Sequence, residues 1–446
     1  MTCAERWRGL CGAAALALVA SCGGSSSQTQ LVGPGLSGGT LDTASIDVPT
    51  GANTTQIVVD AGPQSGFSIG AVNVPYVSVS VCVPGSASAC VTLDHVFLDT
   101  GSIGLRIFRS SVAALALPAI TLPADGASAT PAGAGAECYP FVLGAVWGAL
   151  ARADVHIGGE TAAALPVQLI DDSTPPANAV PAECATAANG QLMDTPAALQ
   201  ANGILGVGML ALDCGSSCVV GNYASGYTLY YSCGSTAGSA CVPAAVPAAL
   251  QVGNPVAFFP VDNNGSIIVL PALPQLGAVQ ASGRLVFGIG TQSNNQLAPS
   301  ARVLYVDPDP ASPTYLYLST TVGAITYPDS YIDSGSNALF FSDPGLAQGC
   351  QSSSGVSGSG WYCPPTVLQR QATLTDARAT TAAVPFTLVN ADALFTTPGL
   401  AFDDLAGTLA ANTTSFVWGL PFFYGRSVYT SIWGQALSPN GPWNAF

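Results

Sequence analysis

Short runs in which apolar and polar residues alternate, separated by Gly, Pro, Asn and Asp, fill most of the chain from Val72 onward. Tyr76-Val77-Ser78-Val79-Ser80-Val81 alternates strictly. Arg284-Leu285-Val286-Phe287 and Arg302-Val303-Leu304-Tyr305-Val306 are β-branched or aromatic runs of strand length. Successive side chains of a strand face opposite ways, so this pattern predicts many short strands and a mainly β chain. Helical periodicity is weak and confined to pieces such as Thr195 to Ala201. Two stretches rich in small residues, Gly126 to Gly135 and Cys350 to Gly360, are predicted loops.

The N-terminus follows a different pattern. Arg6 and Arg8 precede an apolar run from Leu10 to Ala20, which is too short to span a bilayer and predicts a signal peptide over residues 1–21. The run ends Leu18-Val19-Ala20-Ser21-Cys22, which resembles the lipobox of bacterial lipoproteins. That resemblance implies cleavage before Cys22, lipidation of its thiol, and, with Gly23 following, residence in the outer membrane of the cell envelope. A plain secretory signal is the alternative. Residues 22–65, rich in Gly, Ser and Thr, are expected to form a flexible tether.

Composition narrows the function. The chain has 446 residues, enough to bury about 75% of its unfolded surface without help from a metal or oligomer. Charged residues make up 8%, all ten basic residues are Arg, and the net charge is −15, which excludes nucleic-acid binding. Leaving aside Cys3, Cys11 and Cys22, ten cysteines remain, an even number that in an exported protein predicts disulfides. Cys82–Cys90, Cys214–Cys218, Cys233–Cys241 and Cys350–Cys363 would close short loops and leave Cys138 with Cys184. A zinc site is not expected, because three residues separate Cys214 from Cys218 and the chain holds only His95 and His156.

One motif occurs twice. Val96-Phe97-Leu98-Asp99-Thr100-Gly101-Ser102 is matched by Tyr331-Ile332-Asp333-Ser334-Gly335-Ser336. In each, an apolar strand end delivers an Asp into a tight turn that Gly permits, with hydroxyls placed to orient the carboxylate. A single Asp-Ser-Gly turn is common in β proteins; two copies with the same flanks are far more specific.

With these motifs the sequence resembles the pepsin-like aspartic peptidases. Further segments match that family in its order. Gly203-Ile204-Leu205-Gly206-Val207 and Val417-Trp418-Gly419 resemble the hydrophobic-hydrophobic-Gly elements that thread beneath each catalytic loop. Gly283 to Gly288 resembles a strand crossing between lobes, and Gly148 to Gly158 the returning arm of the flap hairpin. The likeness covers roughly residues 70 to 435. It implies a bilobal acid-protease fold, two similar β lobes over residues 66–285 and 286–446, with a cleft between them. Asp99 and Asp333 would form the catalytic dyad. Thr100 and Ser334 would lock the loops together, and Ser102 and Ser336 would bond the outer carboxylate oxygens beside Gly101 and Gly335. Two adjacent carboxylates cannot both ionise, so the pair would share a proton, as the dyads of aspartic proteases do. One carboxylate then activates water while the other protonates the amide carbonyl, and no metal or cofactor is required. The chain also resembles a group of proteobacterial lipoproteins of unassigned function.

Some positions depart from the family pattern. The flap Tyr aligns with Phe141, while Tyr139 lies two residues away. Arg106 replaces the Trp that usually follows the first motif, and Leu420 stands where many members have Asp. No pro-segment is evident ahead of the catalytic part, so activation by its removal is not expected. A Ser-His-Asp hydrolase is disfavoured, since no Gly-x-Ser-x-Gly elbow is present. His95 is expected to be structural and His156 exposed; Trp418, Trp433 and Trp443 are expected to pack rather than form a sugar platform. The expectation is a monomeric, lipid-anchored endopeptidase acting on a peptide or protein substrate in the interlobe cleft. The alternative is a proteolytically silent binding or scaffold protein with the same fold.

Overall fold

The computed structural model describes residues 41–46, 51–63, 71–124, 132–142, 144–174, 176–187, 191–219, 229–234, 238–346, 350, 359–409, 413–435 and 441–446. The expected signal peptide at 1–21, Cys22 and most of the expected tether lie outside them.

The chain is mainly β, with short helices at connections. Its strands form a large sheet and a second sheet of eight strands built from residues 318–418. Alternation explains the strands directly. In Thr381–Leu388 the side chains of Ala382, Val384, Phe386 and Leu388 are buried while their neighbours are more exposed, so one face packs and the other meets solvent. Pro75–Cys82, which contains the alternating tyrosine-valine run, pairs antiparallel with Cys90–Asp99. The predicted helical piece is a single turn, Pro196–Leu199, capped by Thr195, whose side chain accepts from the Ala198 amide at 3.1 Å.

The expected tether extends too far. Thr43–Ser45 pairs with Gln280–Ser282, and Thr54–Val59 pairs with Ala281–Val286 and with Pro75 and Tyr76. Ile57 and Val59 are fully buried. Gln56-Ile57-Val58-Val59 is a strand-forming run embedded in a Gly- and Thr-rich stretch, and the burial of alternate apolar residues outweighs the flexible composition around it. The expected lobe boundary at 285/286 also falls inside a strand, Gln280–Phe287. Two later strands, Ser427–Ser431 and Trp443–Ala445, return to the large sheet, the first alongside Gly265–Val269. The predicted loops are shorter than expected as well. Gly133–Gly135 begins the strand Gly133–Pro140, and Ser359–Gly360 begins Ser359–Trp361. At Gly133 a β-carbon would lie 2.5 Å from the Cys233 carbonyl oxygen, so the small residue there serves close strand approach rather than a loop.

One hydrophobic cluster runs through both sheets, joining Leu98, Leu205 and Leu285 to Ile332, Leu339 and Trp418. The disulfides Cys82–Cys90, Cys138–Cys184, Cys214–Cys218, Cys233–Cys241 and Cys350–Cys363 all form. Among the described residues no helix is long and apolar enough to cross a membrane.

Candidate active site

The first Asp lies at the end of Cys90–Asp99, whose last four residues are buried. The chain turns through Thr100-Gly101-Ser102 and leaves along Ile103–Phe108. Gly203–Val207 threads between these two strands, parallel to the first and antiparallel to the second, with Gly206 beside Asp99 and opposite Gly104. A β-carbon on Gly206 would lie 2.5 Å from the Ile103 nitrogen, so the threading needs glycine. The second Asp is built the same way. Ile325–Ile332 delivers Asp333, Leu339–Phe340 leaves, and Val417–Trp418 runs between them. A side chain at Gly419 would collide with the carbonyl oxygens of Ser336 and Ala338.

The two loops interlock. The Thr100 amide donates to Ser334 Oγ at 3.1 Å, and the Ser334 amide donates to Thr100 Oγ1 at 2.9 Å. Ser334 Oγ in turn donates to the Leu98 carbonyl at 2.9 Å. Each carboxyl is held by its own turn. Asp99 accepts from the Gly101 amide at 2.7 Å and from Ser102 Oγ; Asp333 accepts from the Gly335 amide at 2.8 Å and from Ser336 Oγ at 2.8 Å. A β-carbon on Gly101 would lie 2.7 Å from Asp333 Oδ1, so glycine at that position lets the second carboxyl approach the first loop.

Both aspartates are 0% exposed. Burial raises the Asp99 pKa above the ordinary carboxylate value, against the opposing effect of bonds from Ser102, Asp333 and Gly101. Burial, and next the Asp99 charge, push Asp333 well above it. The two carboxyls are hydrogen-bonded to each other, so their protons are taken up and released by the pair rather than by either residue alone. Two like charges this close are unfavourable, so the pair holds on to one proton above the ordinary carboxylate range.

Of the two flap candidates, the structure brings Tyr139 to the site. Tyr139 lies near the end of Gly133–Pro140, paired with Val146 of Ala145–Ile157. It shares a cavity of about 90 Å³ with Thr100, Gly101, Tyr317 and Tyr331. Phe141 packs in the same core cluster as Tyr139, their ring centroids 5.1 Å apart, but does not line that cavity. The aligned position is thus apolar, and the hydroxyl-bearing residue two positions away lines the cavity beside Thr100 and Gly101.

Arg106, noted in the sequence as a departure, is fully buried with its guanidinium carbon 3.6 Å from the Tyr139 ring centroid. Its Nη2 bonds Glu137 at 2.7 Å and Asp213 at 3.1 Å, and its Nη1 donates to the Ile103 carbonyl at 2.5 Å. Burial alone would lower the Arg106 pKa, but Glu137, Tyr139 and Asp213 more than reverse this and keep it charged. Asp213 is pushed well above the carboxylate range by burial and then by Glu137. Tyr230 donates to it at 2.6 Å.

Sequence reasoning does not find Glu137, Asp213 and Tyr317, and it reads Tyr331 only as the apolar strand end before Asp333. Charge offers a signal for the first two, since an acid inside an apolar run is notable in a chain with 8% charged residues. His95 contacts Asp60 at 3.3 Å and Asp94 at 3.4 Å, while His156, half-buried rather than exposed, bonds Thr161 at 2.8 Å. Neither lines the dyad cavity. Among the described residues one group has the spacing of metal ligands, Cys350, Cys363 and Asp392, but its two sulfurs are joined in a disulfide.

Two β sheets, each carrying an Asp turn threaded by a hydrophobic-hydrophobic-Gly segment, define a pepsin-like fold class. The chain belongs to the family described as "Protein of unknown function (DUF3443)", whose model matches residues 49–446. Among solved structures it is similar to the aspartic proteinase from Irpex lacteus. The two are 13% identical, the match covers 88% of this chain and 96% of that one, and the TM-score is 0.43. No curated protein matches the chain.

Proposed function

We propose that the protein is an aspartic-type endopeptidase, exported and held in the cell envelope by lipid on Cys22, that hydrolyses extended peptides. The observation that carries this reading is the pair of interlocked turns that hold two buried, mutually hydrogen-bonded carboxyls. Asp99 takes a proton from water as its oxygen attacks the scissile carbonyl carbon, and Asp333 gives its proton to the carbonyl oxygen. Collapse of the resulting diol breaks the carbon–nitrogen bond as Asp99 gives its proton to the leaving nitrogen and Asp333 takes one back from a diol hydroxyl. The envelope location rests on the Leu18 to Cys22 pattern.

One observation weighs against catalysis by the molecule in this conformation and keeps the silent alternative open. Both carboxyls are fully buried, and the adjoining cavity of about 90 Å³ is far below the roughly 300–1,000 Å³ of ordinary ligand sites. Catalysis therefore requires the flap hairpin carrying Tyr139 to open. Digestion of unfolded proteins between pH 3 and 7, with and without pepstatin, separates the two. Inhibitor-sensitive cleavage is expected, falling by at least about a thousandfold in Asp99→Asn and Asp333→Asn. Equal inertness of folded wild type and variants favours the binding protein.

A further inference from the structure

A larger cavity lies away from the dyad, at the back of the second Asp loop. It has a volume of about 340 Å³, within the range of small-molecule sites. Leu339 and Trp418, which pair with each other beside that loop, form part of its wall. Leu276, Val384, Phe386 and Phe422 supply further apolar surface.

The charged groups in this cavity are few and unbalanced: Asp403, Asp404 and Arg426. Asp404 is 6% exposed, and its Oδ1 is buried with no hydrogen-bond partner. A buried carboxylate oxygen without a donor is costly, so a donor supplied from outside the chain relieves it. Arg426 is not that donor. Its Nη1 is bonded to the Phe422 carbonyl at 2.6 Å and approaches the Tyr424 carbonyl at 3.5 Å, and among the described residues no salt bridge joins it to either carboxyl. A bare metal ion fits poorly, because Asp403 and Asp404 belong to no ligand cluster among the described residues and the walls carry large apolar side chains.

We infer that this cavity is a binding site for a small organic cation, an ammonium group on an apolar body, with the ammonium donating to Asp404 and the body lying against Phe386, Trp418 and Phe422. Asp404 is pushed up to about 7 by burial and then by the Asp403 charge, so it gains its full charge only above neutral pH. The other titratable groups facing the cavity are Asp403, raised by burial; Tyr424, raised by burial and Asp403; and Arg426, lowered by burial.

The test uses n-pentylammonium, which stays protonated through pH 8 like a lysine side chain, beside n-pentanol as its neutral counterpart. Calorimetric titration of the wild-type protein should show pentylammonium binding about tenfold more tightly at pH 8 than at pH 6, following the ionised fraction of Asp404, while pentanol shows no such change. Asp404→Asn, which keeps the shape, should abolish the pH effect and weaken pentylammonium at pH 8 by about tenfold or more. Asp99→Asn should leave binding unchanged, which separates this site from the peptidase reading. No detectable binding, equal affinity for amine and alcohol, or an unaffected and folded Asp404→Asn variant overturns the assignment.

Discussion

Arg106 shows how one side chain can reorganise its surroundings. A buried guanidinium must be paired, and here Glu137, Asp213 and the Tyr139 ring supply the pairing. Arg106→Met should therefore destabilise the fold by about 3–5 kcal/mol at pH 7.5, because it strands two carboxyls in the interior. The penalty should shrink at pH 4.5. Asp213 already binds its proton well above the ordinary range, and protonation removes the charge that Arg106 neutralises. Urea unfolding at the two pH values checks this, and an equal loss at both would assign Arg106 a packing role alone. The sequence made the residue visible as a departure, yet not its partners. Glu137 and Asp213 are 31 and 107 positions away, and only the course of the strand Gly133–Pro140 and the loop after Gly203–Val207 bring them together. The Asp turns were far more legible, since each carboxyl is fixed by residues within three positions of it.

At the scale of elements, what could be read depended on whether the signal was local. Pro75–Cys82 announces itself by alternation, whereas Thr54–Val59 is concealed by the composition around it and is held in place by Gln280–Phe287, more than 200 residues later. The strand Gly133–Pro140 is also held from a distance. Cys138, next to Tyr139, is bonded to Cys184 in the helix Ala182–Ala187, closing a loop of 46 residues, while Cys82–Cys90 closes one of 8. On the chain-entropy estimate the longer loop contributes about 4 kcal/mol and the shorter about 2.5 kcal/mol. The Cys138→Ser/Cys184→Ser pair should accordingly lower the urea midpoint more than Cys82→Ser/Cys90→Ser. The reverse order would mean that strain or residual structure, rather than loop entropy, governs these crosslinks.

For the whole molecule the decisive fact is how its acids are placed. Asp99, Asp213, Asp333, Asp403 and Asp404 all have raised pKa values, with burial the largest cause in each. A group whose folded pKa exceeds its unfolded value stabilises the fold fully below the unfolded pKa, and that stability is lost as pH rises through the folded one. For Asp404 the window runs from 3.8 to about 7, a difference worth on the order of 4 kcal/mol. Repulsion within a chain of net charge −15 acts in the same direction, since acid neutralises it. The melting temperature should therefore fall as pH rises from about 4 to 8, the opposite of a protein whose carboxylates are mostly salt-bridged. Asp404→Asn should flatten the slope and be more stable than wild type at pH 8, with little difference at pH 4. Calorimetric melting at four pH values tests both statements. A melting temperature that climbs between pH 4 and 8 would show that ion-paired carboxylates govern stability, and the acid-side preference inferred from the buried dyad and its neighbours would lose its physical basis.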